Sequence, residues 1–350
     1  MRVGVLEYEK CKNLCWNLLP KVSRSFALCI QVLPRPIDEQ MMTAYLLYRV
    51  IDTIEDCGAG IETKKEMFDR VLLLAGRKTM DRNEITACRD ALVAKIDSGS
   101  EAELLKNFDS LMEVYRAQPP EIRKAIRKWG AVMARGMYEF LQKGIHTFRD
   151  QNKYSYYVAG VVGYMINDLF YYNHVIDAGL KRKLRAHAKR FGLALQKVNI
   201  LRDVARDIKE RRYYWPEYVI KKYRLSYESM CLPENRAAAM KVLKVQIADA
   251  LTYLHSAMYY VVSLPKDAVR VRMFCTIPLF MAIESFAKCN GNQDVFDSSV
   301  RVKISRLKVY EIVAKSWLLG AFNGLMVGWF FDSLRGVPVP ADSPLIHGMQ

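Results

Sequence analysis

Apolar residues recur at i, i+3 and i+4 along almost the whole of this 350-residue chain, a period that calls for helices. Alternating apolar and polar runs joined by Asn-Gly turns, the mark of half-buried strands, are missing. The helical period is interrupted where proline or glycine ends a helix for steric and hydrogen-bonding reasons: Pro34-Arg35-Pro36, Gly58-Ala59-Gly60, Gln118-Pro119-Pro120, Pro216 and Leu264-Pro265. No period of solenoid type and no Ser/Gly/Pro-rich linker divides the chain. Its length is enough for a large core, as one big domain or two small ones. The expectation is an all-α, single-domain protein over residues 1–335 with a C-terminal tail at 336–350.

Two acidic clusters of equal spacing stand inside those apolar stretches, Asp52-Thr53-Ile54-Glu55-Asp56 and Asp203-Val204-Ala205-Arg206-Asp207. A helix places i and i+4 on one face, so each aspartate pair presents two carboxylates side by side. Like charges so close are costly unless a cation sits with them, and Arg49 and Arg202 lie beside the two pairs. The first polar stripe is Tyr45, Arg49, Asp52 and Asp56, flanked by Leu46, Leu47, Val50, Ile51 and Ile54. The second is Gln196, Asn199, Asp203 and Asp207, among Leu193, Leu195, Val198, Ile200, Leu201 and Val204. One such pair alone would read as a solvated face; two, far apart in the chain, read as stripes turned to a cavity. Carboxylates are hard ligands for Mg²⁺, which takes one or two of them together with phosphate oxygens. Two such helices facing each other would hold a metal–diphosphate cluster.

The formal net charge is +16, with the densest basic block at Lys181–Arg190. Excess Lys and Arg serve nucleic acid, an anionic membrane face or phosphorylated substrates. Nucleic acid is set aside, because no binding motif is present and paired aspartates would oppose a phosphate backbone. The eight cysteines form no CxxC pair and lie in mostly apolar surroundings, which points to structural thiols in a reducing, cytoplasmic compartment. The N-terminus, with Glu7 and Glu9, lacks the apolar core of a signal peptide. The longest uncharged run, Ser316 to Phe331, falls short of the ~20 residues that span a bilayer and is expected as a buried core helix. Its Trp317, Trp329, Phe330 and Phe331 would also suit shallow, peripheral membrane contact. The five histidines match no motif.

The chain resembles the squalene synthases, within the squalene and phytoene synthase group of head-to-head prenyl transferases. The matching pieces are Ser23-Arg24-Ser25-Phe26, Tyr48 to Asp56, Gly136 to Leu141, Tyr154, Tyr157 to Gly163, Leu195 to Asp203 and Arg212-Tyr213-Tyr214-Trp215-Pro216. Their order and spacing carry the resemblance from near the N-terminus to about residue 310.

The resemblance implies an isoprenoid-synthase-type helical bundle with a central cavity, acting as a monomer on two farnesyl diphosphates. It implies Mg²⁺ at Asp52, Asp56, Asp203 and Asp207, with Glu55 alongside, and diphosphate neutralised by Arg49, Arg202, Arg212 and Arg24. Ser23, Ser25, Phe26, Tyr45, Tyr157, Gln196, Asn199 and Phe274 are the further substrate-binding candidates. By composition Tyr154 and Tyr157 are core residues with satisfied hydroxyls; the resemblance moves Tyr154 towards proton transfer. Ala159, Gly160 and Gly163 would let a prenyl chain lie against helix backbone, and Phe274-Cys275-Thr276-Ile277-Pro278 resembles a segment lining the hydrocarbon channel. Arg301 and Lys303 stand where relatives carry two basic residues associated with NADPH. Three departures loosen product identity: Cys57 and Arg206 replace acids common in relatives, and Tyr164-Met165-Ile166-Asn167-Asp168 replaces a Gly- and Ser-containing run. The alternatives are dehydrosqualene, hydroxysqualene or phytoene synthase, or a class I terpene cyclase on the same scaffold.

Overall fold

The computed structural model describes residues 2–77, 79, 81–96, 99–335 and 337, leaving aside the side chains of 2–5; no β-strand occurs among them. Val337 apart, the expected tail lies outside the described residues. In chain order the helices are α1 (Arg2–Val22), α2 (Arg24–Gln31), α3 (Ile37–Asp56), α4 (Ile61–Gly76), α5 (Arg82–Val93), α6 (Ser100–Lys106), α7 (Phe108–Ala117), α8 (Pro120–Lys143) and α9 (Phe148–Ser155). A π-helical turn, Tyr156–Gly160, leads into α10 (Val161–Tyr172) and then α11 (Ala178–Arg202) and α12 (Val204–Lys209). The chain continues through α13 (Glu217–Lys222), α14 (Tyr227–Met230), α15 (Arg236–Leu251), α16 (Leu254–Ser263), α17 (Val269–Cys289), α18 (Arg306–Leu319) and α19 (Asn323–Leu334). All five proline and glycine interruptions fall at helix junctions.

These helices gather into two compact units. The first holds residues 1–142 and 165–175, the second 143–164 and 176–350, so α10 begins in one and ends in the other. In the first unit α3 is the hub, packed against α1, α2, α4, α6 and α7. Asp38 and Glu39 in its first turn favour its N-terminus, and its last residue is Asp56, just before the glycine corner. Met41, Met42, Ala44, Leu46, Leu47, Val50, Ile51 and Ile54 are buried. Fully burying each large aliphatic side chain stabilises by about 1.5–3 kcal/mol, which holds the polar stripe of α3 in register.

In the second unit α11 is the hub, packed against α9, the π turn, α15, α16 and α17. Asp177 caps its start, its carboxylate accepting from the Leu180 N–H at 2.7 Å. The π turn comes unusually close to it. A Cβ on Gly192 would collide with the carbonyl of Ala159, and one on Gly163 with the carbonyl of Ala188. This corrects the expectation of a smooth face for a prenyl chain at Gly160 and Gly163: both glycines are taken up by packing on α11, Gly160 towards Leu193 and Gly163 towards backbone.

Ser316 to Phe331 is not one buried helix. α18 ends at Leu319 and α19 begins at Asn323, while Trp317, Leu318, Phe322 and Leu325 are all more than half exposed. Leu307, Tyr310, Ala314, Trp317 and Leu318 share one exposed face of α18, and only the opposite positions, such as Ile312 and Ser316, enter the core. Of the four aromatics expected at an interface, Phe330 is buried and Trp329 stacks on Phe280 at 3.5 Å. No described helix is long and apolar enough to cross a membrane. All eight cysteines are free thiols, five of them buried.

Candidate active site

In the first unit α3 runs unbroken through Asp52 and Asp56, so the two carboxylates do share a helix face. Arg49, one turn earlier, donates to Asp52 at 2.5 Å and to Glu101 of α6 at 2.7 Å. Burial works against the Arg49 charge, but Asp52, Tyr45 and Glu101 outweigh it and hold the guanidinium more firmly protonated than usual. Burial also raises the Tyr45 phenol, whose oxygen is hydrogen-bonded to Ser23. Ser23 caps α2 by accepting from the Phe26 N–H at 3.3 Å, and the Phe26 ring lies 5.4 Å from Tyr45. Arg24 and Ser25 stand exposed in the first turn of α2. The Ser23–Phe26 segment and the α3 stripe are therefore neighbours through Ser23, Phe26 and Tyr45. Glu55 is buried and Asp56 exposed.

In the second unit Gln196 and Asn199 precede Asp203 on α11, but one continuous helix does not run through Asp203 and Asp207. Asp203 (φ −100°, ψ 7°) closes α11, and α12 starts at Val204. Aspartate competes with helical backbone and is at home at such a junction. The Asp207 N–H still donates to the Asp203 carbonyl at 2.9 Å, which preserves the four-residue relation of the pair. Arg202 donates to Asp203 at 2.6 Å, and Arg206 reaches the same carboxylate at 3.6 Å. Arg212 lies 3.8 Å from Asp207 and also pairs with Glu210. Burial, more than any neighbour, pushes the Asp207 carboxyl up to about 7 despite Arg212.

Tyr154 is buried at the end of α9, its ring stacked on Tyr214 at 5.0 Å between centroids and 20° between planes. Tyr157 is half-buried, with the Lys153 ammonium 5.7 Å from its ring centre. The regular helical turn expected at this point is a π turn instead, a feature frequent at functional sites. Phe274 is buried in α17, and Arg301 and Lys303 are exposed on the irregular segment before α18 with Val302 turned inward between them.

Side chains that sequence reasoning passed over now join the site. Glu101 shares Arg49, and the buried Lys197 and Gln151 form a network with the half-buried Asp249 and Tyr214 around α11 and α9. A lone lysine among Ala194, Leu195, Val198, Ile200 and Leu201 was a usable signal; its acidic partner, on another helix, was not. Among the described residues no group of three or more acids, histidines or cysteines is arranged to hold a metal ion by itself. Each aspartate pair thus offers at most two carboxylates, which fits Mg²⁺ bound jointly by protein and diphosphate oxygens. The raised Asp207 carboxyl fits as well, because burial outweighs Arg212 and Arg206 there, and a divalent cation would supply the further positive charge that the carboxylate form needs.

Comparison with known proteins gives these pairs a context. The squalene synthase of Schizosaccharomyces pombe is 33% identical over 299 residues, covering 83% of this chain and 62% of that protein. The squalene synthase of Dictyostelium discoideum is 32% identical, with 83% and 67% covered, and that of Rattus norvegicus 31%, with 83% and 66%. This chain therefore spans about two thirds of the length of the relatives it matches. Among solved structures, TcSQS in complex with the ligand E5700 superposes with a TM-score of 0.82 at 27% identity, over 96% of this chain and 94% of that one. A dehydrosqualene synthase shares the fold at 18% identity, with a TM-score of 0.59 over 89% of this chain and 97% of that one. The squalene/phytoene synthase family model matches residues 19–308, a span that holds both arginine-clamped aspartate pairs, Tyr154 and Arg212. On that match the chain is a member of the squalene/phytoene synthase family.

Proposed function

We propose that this chain is a squalene synthase that joins two farnesyl diphosphates head to head and reduces the product. The observation that carries the reading is the pair of aspartate couples, each beside an arginine on the hub helix of its own unit, in a chain about a third identical to squalene synthases. Asp52, Asp56, Asp203 and Asp207 would hold Mg²⁺, with Glu55 beside them. Arg301 and Lys303, two exposed cations on one side of their segment, would hold the 2′-phosphate of NADPH. When bound, Mg²⁺ supplies positive charge that favours loss of diphosphate, and NADPH supplies a hydride.

The chain's own groups do the rest. Arg49, Arg202, Arg212 and Arg24 take up the negative charge of the departing diphosphate, for which the guanidinium fork is suited. The C–O bond of the first farnesyl breaks, the double bond of the second farnesyl attacks the allylic cation, and loss of a proton closes the cyclopropane of presqualene diphosphate. Tyr154 assists that proton transfer. A second loss of diphosphate and a rearrangement leave a cation that would become squalene on taking up the hydride that NADPH, held by Arg301 and Lys303, would supply. Apolar helix faces exclude water from both cations, and aromatic rings such as Phe26, Tyr45, Tyr157 and Phe274 stabilise them. Ser23, Ser25, Gln196 and Asn199 orient the diphosphates by hydrogen bonding.

We further infer that the enzyme works as a monomer on the cytoplasmic side of a membrane, which it touches through the exposed face of α18 and α19. Leu307 and Trp317, 80% and 65% exposed, support this, because apolar and aromatic side chains on one helix face favour an interface. Incubation with farnesyl diphosphate and Mg²⁺, with and without NADPH, followed by mass spectrometry tests the activity. Squalene with NADPH is the expected product; dehydrosqualene, an alcohol or a cyclic product under the same conditions would overturn it. Co-sedimentation with anionic vesicles, lost in Leu307→Glu/Trp317→Glu, tests the membrane face.

A further inference from the structure

A buried ammonium stands in the middle of α11. Lys197 is 2% exposed, and a charge so placed costs several kcal/mol unless it is paired and hydrogen-bonded. It is paired with Asp249 of α15 and donates to the Oε1 of Gln151 on α9 at 2.7 Å. The rings of Tyr253 and Phe148 lie 5.4 Å and 5.5 Å from it.

An ammonium can only donate, so Gln151 must turn its carbonyl oxygen to Lys197. That orientation leaves the Gln151 Nε2 pointing away, where it donates to the backbone carbonyl of Tyr214 at 2.9 Å and to Gln246 at 3.1 Å. Tyr214 carries the ring stacked on Tyr154, and Tyr154 lies three residues beyond Gln151 on the same helix. The segment is tied at its other end as well, the Arg212 N–H donating to the Asp207 carbonyl at 2.7 Å. Asp249, Lys197, Gln151, Tyr214 and Tyr154 thus form one continuous chain of contacts.

We propose that Lys197, through Gln151, is a positioning residue that sets the Tyr214 segment against Tyr154 and so holds the Tyr154 hydroxyl where the first coupling step needs it. The proposal rests on the squalene synthase reading. Its charge is kept for orientation: a neutral apolar residue would fill the same space at lower desolvation cost but would let the Gln151 amide turn over.

Lys197→Met keeps the bulk and removes the donor, and Asp249, 21% exposed, can be rehydrated. Gln151→Glu keeps the partner for Lys197 but cannot donate to Tyr214, so it serves if Lys197→Met does not fold. Either variant is expected to lower presqualene diphosphate formation from farnesyl diphosphate roughly 10–100-fold, the scale of small misplacements in a site. Consumption of supplied presqualene diphosphate should change far less. In a Tyr154→Phe background the same substitutions should add little, whereas a merely structural role would make the losses multiply. Multiplying losses, a parallel fall in both half reactions, or a folded Lys197→Met with unchanged presqualene diphosphate formation would overturn the proposal. A silent Tyr154→Phe would return that residue to the core and overturn the proposal with it, whereas a wild-type chain that leaves farnesyl diphosphate unused would instead remove the squalene synthase reading. The structural half is read without activity: a crystal structure of Lys197→Met should show the Tyr214 ring displaced from Tyr154, and an unchanged stack would refute it.

Discussion

At Asp52 and Asp203 a carboxylate is held against a guanidinium while its side chain stays 36% and 21% exposed. Packing therefore owes little to either group, and the electrostatic work they would do on a diphosphate owes much. Asp52→Ala and Asp203→Ala should each lower farnesyl diphosphate turnover by on the order of 10²–10³, with only a small change in melting temperature. Near-normal turnover in both variants would end the two-motif reading. Asp207 adds a pH dependence. Burial raises its carboxyl to about 7, so below that pH the folded chain without metal keeps it protonated. A metal ligand must shed that proton, and the Mg²⁺ concentration giving half-maximal activity should climb as pH falls below 7. Titration of activity with Mg²⁺ at several pH values checks this; a flat requirement between pH 6 and 8 would count against Asp207 as a ligand.

Among the elements, α9 is short and depends on its cap. Thr147 accepts from the Asp150 N–H while the Asp150 carboxylate accepts from the Thr147 N–H at 3.0 Å, closing a capping box ahead of Tyr154. Thr147→Ala should cost about 1 kcal/mol in a urea or thermal melt. Lys143 and then Thr147 hold the Asp150 carboxyl down at about 2. A depressed acid stabilises the fold above its unfolded pKa of ~3.9, and that contribution is lost as pH falls towards 2. The stability gap between wild type and Asp150→Ala should therefore narrow between pH 4 and 2, and a constant gap would contradict the assigned cause. The π turn beyond α9 depends on glycine. Gly192→Ala forces a Cβ against the Ala159 carbonyl, with an expected loss of about 1–3 kcal/mol and a shift of Tyr157. An unchanged melting temperature would mean that α11 and the turn can separate at no cost.

For the whole molecule, the charge of +16 and the segment bearing Arg301 and Lys303 bear on the reductive step. Arg301→Ala/Lys303→Ala should raise the NADPH concentration needed for squalene and divert product to presqualene diphosphate, leaving farnesyl diphosphate consumption nearly unchanged. Squalene formed at ordinary NADPH levels by that double variant would remove the assignment. Both side chains are exposed, so the substitutions should leave the fold intact.

The all-α class and the helix junctions were legible because local chemistry decides them: an i, i+3, i+4 apolar period builds helices, and proline and glycine end them. The pairing of Arg49 with Asp52 and Arg202 with Asp203 was legible for the same reason, each partner being within one turn. What the sequence could not decide is whatever depends on residues brought together from distant parts of the chain. The exposed row from Leu307 to Leu325 has the same apolar composition as a core helix, and only the placement of its neighbours leaves it open to solvent. Gly160 and Gly163 look like room for a prenyl chain until α11 comes close enough to take it up. Lys197 looks like a misplaced charge in an apolar run until Asp249 and Gln151 arrive from α15 and α9. Periodicity, caps and breaks are properties of a few consecutive residues; burial and partnership belong to the fold, because a side chain's surroundings are set by helices far away in sequence.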